Sequence, residues 1–108
     1  MTDYVLFGVN SADIETARRW VEESLALKGE ARTNNHNGNY YTFEDAIGLE
    51  FKLINGICSD EDGPYPAEAE FPDWKVLLYA DQVQAHSPQI TVLEKLSKKF
   101  VKLRTMTI

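Results

Sequence analysis

The sequence predicts an α+β domain, a mainly antiparallel sheet with two helices in the order β-α-β-β-β-β-α-β. Three observations predict it. Short runs rich in strand formers recur at Tyr4–Val9, Asn39–Glu44, Leu49–Leu53 and Trp74–Ala80. Two stretches, near 11–28 and 88–101, space their apolar residues as a helix does. Between them, strand-like segments follow one another with no intervening helix, so neighbouring strands are expected to run antiparallel.

Each element has its own justification. Tyr4-Val5-Leu6-Phe7-Gly8-Val9 is apolar in both phases, as a strand buried on both faces is. Asn10-Ser11 then offers N-cap oxygens, and Asp13 and Glu15 fall in a first turn where the helix dipole favours anions. Ile14, Ala17, Val21 and Leu25 form a stripe with Trp20 beside it, and Gly29 stands where a helix would end left-handed. Glu30–Asn35 and Asn39–Glu44 flank His36-Asn37-Gly38, and Asn-Gly supplies the positive φ a tight hairpin demands. Leu49-Glu50-Phe51-Lys52-Leu53 alternates, the mark of a strand with one wet face. A long connection with Pro64, Pro66 and Pro72 is expected to block helix and ladder alike. WKVLLYA reads as another buried strand. Ser87-Pro88 opens a second helix with Leu93, Leu96 and Phe100 towards the core, and Lys102–Ile108 closes the chain as a strand.

The 108 residues form one domain, 1–108, long enough to fold without staples. With 44% hydrophobic and 26% charged residues, the chain has a globular rather than a disordered composition. A single cysteine, Cys58, precludes an intrachain disulfide and fits a reducing compartment. The N-terminus has neither a basic n-region nor a long apolar run, and no stretch reaches transmembrane length. The expectation is a cytoplasmic protein with no membrane partner.

A net charge of −6 argues against direct nucleic-acid binding, which needs a basic face. Its distribution is more telling. From Thr33 to Trp74 nine acids face Lys52 alone, whereas after Gln82 five bases (Lys95, Lys98, Lys99, Lys102 and Arg104) face only Glu94.

Catalytic and metal signatures are wanting. Cys58 precedes Asp60, Glu61 and Asp62, whose charge would raise a thiol's pKa, the reverse of activation. No serine sits in a G-x-S-x-G elbow. His36 and His86 belong to no zinc spacing. Asp60-Glu61-Asp62-Gly63 echoes an EF-hand, but with Gly63 at the sixth position Cys58 and Ala69 fall where oxygen ligands are required. The strand-helix-strand order is similar to a vicinal-oxygen-chelate module, yet the first strand carries no metal ligand. The expectation is no enzyme, no metal and no cofactor.

What stands out is residues 59–73, SDEDGPYPAEAEFPD, with six acids and no base. Prolines stiffen it, and Tyr65 and Phe71 are interleaved with the charges as aromatic anchors are at interfaces. Asp60, Glu61, Asp62, Tyr65, Glu68, Glu70 and Asp73 are therefore the candidate partner-binding residues. Helix 1, through Glu22 and Glu23, offers a second candidate surface.

The opening YVLFGVNSADIETARRW, the stretch NYYTFEDAIGLEFKLI and the acidic insert together resemble the small acidic immunity proteins of bacterial contact-dependent growth inhibition. The resemblance implies binding and neutralisation of a basic toxin domain, a nuclease or more narrowly an RNase A-like ribonuclease, by covering its active site. The alternative from the residues alone is a small regulatory α+β domain binding another protein or a small effector.

Overall fold

The computed structural model describes residues 2–11, 13–34, 38–45, 49–84 and 88–107. Six strands form an antiparallel sheet: β1 (Thr2–Val9), β2 (Glu30–Asn34), β3 (Gly38–Glu44), β4 (Glu50–Asn55), β7 (Val76–Gln84) and β8 (Phe100–Thr107). Two short strands between β4 and β7, β5 (Ile57–Asp60) and β6 (Gly63–Pro66), pair with each other as a separate two-stranded ribbon. The main sheet has the strand order β2-β3-β4-β7-β1-β8. Helix α1 (Ile14–Leu25) follows β1, and α2 (Pro88–Lys95) follows β7. The class is α+β, and the strands of the main sheet with the two helices follow the predicted order.

Burial explains the strand positions. β1 and β7, the most apolar segments, lie inside the sheet, with Val5, Leu6, Phe7 and Val9 on one and Val76, Leu77 and Leu78 on the other all buried. Alternation then sorts side chains between two cores. Val5, Phe7, Val9, Phe43, Phe51, Leu53 and Leu78 join Ala17 and Val21 of α1 and Ile90 and Leu93 of α2. Burying each of those phenylalanines contributes about 1.5–3 kcal/mol. On the opposite face a smaller cluster gathers Leu6, Ile54 and Leu77 under Ala67, Phe71 and Trp74.

Several local expectations shift. The N-cap of α1 is Asp13, whose carboxylate accepts from the Glu15 amide at 3.1 Å and the Thr16 hydroxyl at 2.9 Å. Asn10 instead ties β1 to the turn before β8, its amide donating to the Lys99 carbonyl at 2.8 Å and Nδ2 to the Lys98 carbonyl at 2.9 Å. The left-handed residue that ends α1 is Ala26, with φ 55°, rather than Gly29. Gly29 is required for another reason: a Cβ there would lie 2.9 Å from the Phe43 ring.

Helix α2 stops at Lys95, short of the predicted 101, because the chain must reverse to lay β8 against β1. Phe100, expected on the helix, reaches the core from the first position of β8. In the β2–β3 hairpin Asn34 pairs with Gly38, whose φ is +69°. His36, Asn37, His86 and the Ser87 cap lie outside the described residues.

Candidate functional site: an acidic ribbon over an open sheet face

The acidic stretch, expected as an unpaired connection, folds into the β5–β6 ribbon. Its register pairs Asp60 with Gly63, Cys58 with Tyr65 and Ile57 with Pro66. Pro64 and Pro66 are two residues apart, so their missing N–H groups fall on one edge of the ribbon and leave the Cys58–Tyr65 pair intact. Prolines block a ladder only at one phase. At the turn, Oδ1 of Asp60 accepts from the Asp62 amide at 2.8 Å, and Gly63 takes the left-handed conformation at φ +107°.

The ribbon's base is fastened to the sheet through backbone. The Gly56 amide donates to the Lys75 carbonyl at 2.7 Å, and the Ala67 amide donates to the Gly56 carbonyl at 2.8 Å. A Cβ at Gly56 would lie 1.8 Å from the Trp74 carbonyl oxygen, which no L side chain could tolerate. Trp74 precedes β7 and lays its indole on Gly8, where an added Cβ would come within 2.4 Å of the ring. Glycine at positions 8 and 56 thus permits the closure that lets Trp74 and Phe71 cover the second core.

The predicted contact residues divide by role. Asp60, Glu61 and Asp62 are exposed at the ribbon's tip, and none has a described cation within salt-bridge distance. Tyr65 is 36% exposed on the ribbon flank. Its hydroxyl hydrogen-bonds Cys58, and desolvation raises its pKa. The Cys58 thiol is also pushed up, but by burial, with the Tyr65 hydrogen bond opposing, rather than by the neighbouring acids. Phe71 is partly buried and packs against the second core.

Glu68 is engaged within the molecule. The Arg104 guanidinium donates to both of its carboxylate oxygens at 3.2 Å, and the Tyr79 hydroxyl donates to Oε1 at 2.6 Å. Its side chain is only 18% exposed, so its carboxylate is largely taken up by these contacts within the molecule. Burial and the carboxylate raise the Tyr79 hydroxyl's pKa, keeping it a donor. Glu70 remains 71% exposed, 3.9 Å from Arg104. Asp73 is exposed at the other end of the excursion, beside Asn10, Ser11 and Trp74.

The acidic middle and basic end therefore meet at Arg104, which stands in a row of side chains on one sheet face. Successive registers align Glu30, Thr42, Lys52, Tyr79, Leu6 and Arg104 across all six strands. The sequence distribution gave no sign of this contact, since Glu68 and Arg104 are 36 residues apart.

The ribbon covers only part of that face. Beside it lie two recesses of about 430 and 480 Å³ that share Lys52. The smaller lies between ribbon and sheet, lined by Ile54, Cys58, Tyr65, Ala67, Tyr79 and Asp81. The larger lies over β2, β3 and β4. Burial raises the Asp81 carboxyl above its usual range, with Lys52 opposing. Sequence reasoning passed over Asp81, which sits just beyond the stretch it flagged.

On helix 1, Glu22 accepts from the Gly29 amide at 2.8 Å and pairs with Arg18 at 3.7 Å, leaving Glu23 as the exposed acid of the two. Among the described residues no group of three His, Cys, Asp or Glu side chains could hold a metal ion, and no helix is long and apolar enough to cross a membrane. No protein-family model matches the chain, nor does any curated protein.

Proposed function

We propose that this protein is an immunity protein of the contact-dependent growth inhibition type, working in the cytoplasm. It binds the basic catalytic domain of a toxin, in this reading a ribonuclease, and covers its active site with carboxylates. It transforms no substrate itself. The observation that carries this reading is the ribbon: three consecutive exposed acids and Tyr65 on a two-stranded arm fastened at its base. A solvated linker requires no such fastening. An arm that must present charge in one geometry does, because preorganisation lowers the ordering cost of binding. Its carboxylates would occupy the positions at which a nuclease's Lys, Arg and His hold phosphate, and charge complementarity would speed encounter.

The experiment is inhibition and binding of the basic toxin domain encoded beside this chain, with parent protein and a ribbon variant, D60N/E61Q/D62N/E70Q. Glu68 is left intact because its replacement would loosen the arm. The variant should bind about a hundredfold more weakly, mainly through slower association at low salt. Unchanged affinity in a folded variant would remove the ribbon from the interface, and turnover of RNA by the purified protein would overturn the reading altogether.

A further inference from the structure

The uncovered part of the sheet face carries a feature that folding alone disfavours. Glu44 stands directly opposite Glu50, and Glu50 directly opposite Asp81, so three carboxylates form one row across β3, β4 and β7. Like charges placed directly opposite on a sheet are destabilising. The nearby bases do not form a matching row. Arg32 is paired with Glu30 at 3.2 Å and Lys52 lies against the Tyr40 ring at 4.9 Å, while Lys28 also lines the larger recess.

This row flanks the cleft between ribbon and sheet. One wall of the cleft is Cys58, Tyr65 and Ala67; its floor is Ile54 and Tyr79; Asp81 and Lys52 stand on the sheet side. An arginine or lysine side chain suits such a cleft, with its aliphatic stem over apolar floor and its cationic head between an aromatic ring and a carboxylate. Lys52 also lines the recess over β2, β3 and β4, so the two hollows lie side by side on this face.

We propose that this open sheet face is a second half of the interface, receiving a basic segment of the partner protein between the ribbon and the Glu44–Glu50–Asp81 row. The proposal deepens the reading of the ribbon as a partner-binding arm and rests on it. The ribbon then acts as one jaw and the sheet as the other, and the partner's cationic segment is gripped along its length rather than touched at one tip. The charge row, unfavourable in the free protein, is relieved on binding.

A short peptide of alternating arginine and alanine stands in for the basic segment, added to isotope-labelled protein at low salt and followed by amide chemical shifts. Saturable shifts are expected at Glu50, Lys52 and Tyr79 on the sheet as well as at Cys58 and Tyr65 on the ribbon. A sheet-row variant, E44Q/E50Q/D81N, should bind about tenfold more weakly and yet melt roughly 2–6 °C higher, because both the like-charge row and the part-buried Asp81 charge are gone. A merely structural role for these acids would lower the melting temperature instead, and that result overturns the proposal. Shifts confined to the ribbon tip, with parent-like binding by the sheet-row variant and weakened binding by D60N/E61Q/D62N, overturn the sheet half while leaving the ribbon reading intact. Absence of saturable shifts on both elements overturns the two-jaw interface. E50Q alone, on an exposed side chain, gives the same comparison should the triple variant fold poorly.

Discussion

At the scale of single residues, two positions hold conformations or charges that their chemistry does not favour. Ala26 caps α1 in the left-handed region, where a Cβ crowds the following carbonyl. Ala26→Gly should therefore stabilise the protein by about 1 kcal/mol, visible as a higher denaturant midpoint with an unchanged m-value. Asp81 is the other. Its folded pKa is raised above the ordinary value of 3.8, so the native state binds its proton more tightly than the unfolded chain does. Its contribution to stability is thus fully present below the unfolded pKa and is lost as pH rises through the folded one. Asp81→Asn should be more stable than the parent at neutral pH, and the difference should shrink as acid protonates the parent. Unfolding curves from pH 7 down to about pH 3 read it directly.

At the scale of elements, legibility followed periodicity. The alternation in Leu49–Leu53, the double-sided apolarity of Tyr4–Val9 and the stripe Ile14, Ala17, Val21 each predicted an element that exists, because one buried face imposes one spacing. Caps were less legible: Asn10, Ser11 and Asp13 all carry N-capping oxygens, and the choice of Asp13 depends on Asn10 being drawn to the Lys98 carbonyl far along the chain. The β5–β6 ribbon was illegible for the same kind of reason. Four-residue strands with two prolines carry no periodic signal, and the ribbon persists through its fastening to Lys75 and through Arg104 on a distant strand. Glu68→Ala should cost about 2 kcal/mol, since it leaves a half-buried guanidinium and the Tyr79 hydroxyl without their shared acceptor. A double-mutant cycle with Arg104→Ala should return a coupling of about 1–2 kcal/mol, and additivity would mean the bridge holds nothing in place.

For the molecule as a whole, the two faces of the sheet are covered differently. One face is closed by α1 and α2 around the larger core. The other is partly covered by Ala67, Phe71 and Trp74 of the segment that follows the ribbon, which leaves the rest of it open. The candidate site was legible in part for that reason: the exposed acids of the tip could be named from sequence, whereas Glu68 turned inward and Asp81 joined the surface through strand pairing alone. If recognition is electrostatic, association with a basic partner should slow several-fold between 0.05 and 0.2 M salt (roughly a halving of the screening length) while dissociation changes little, as stopped-flow mixing would show.

The lone thiol gives the molecule a built-in reporter. Cys58 is buried opposite Tyr65, midway along the arm, and lines the cleft, so a maleimide must come through that cleft to reach its sulfur. Labelling kinetics on unmodified protein would accordingly report how open that cleft is, and a partner seated in it would register as slower labelling.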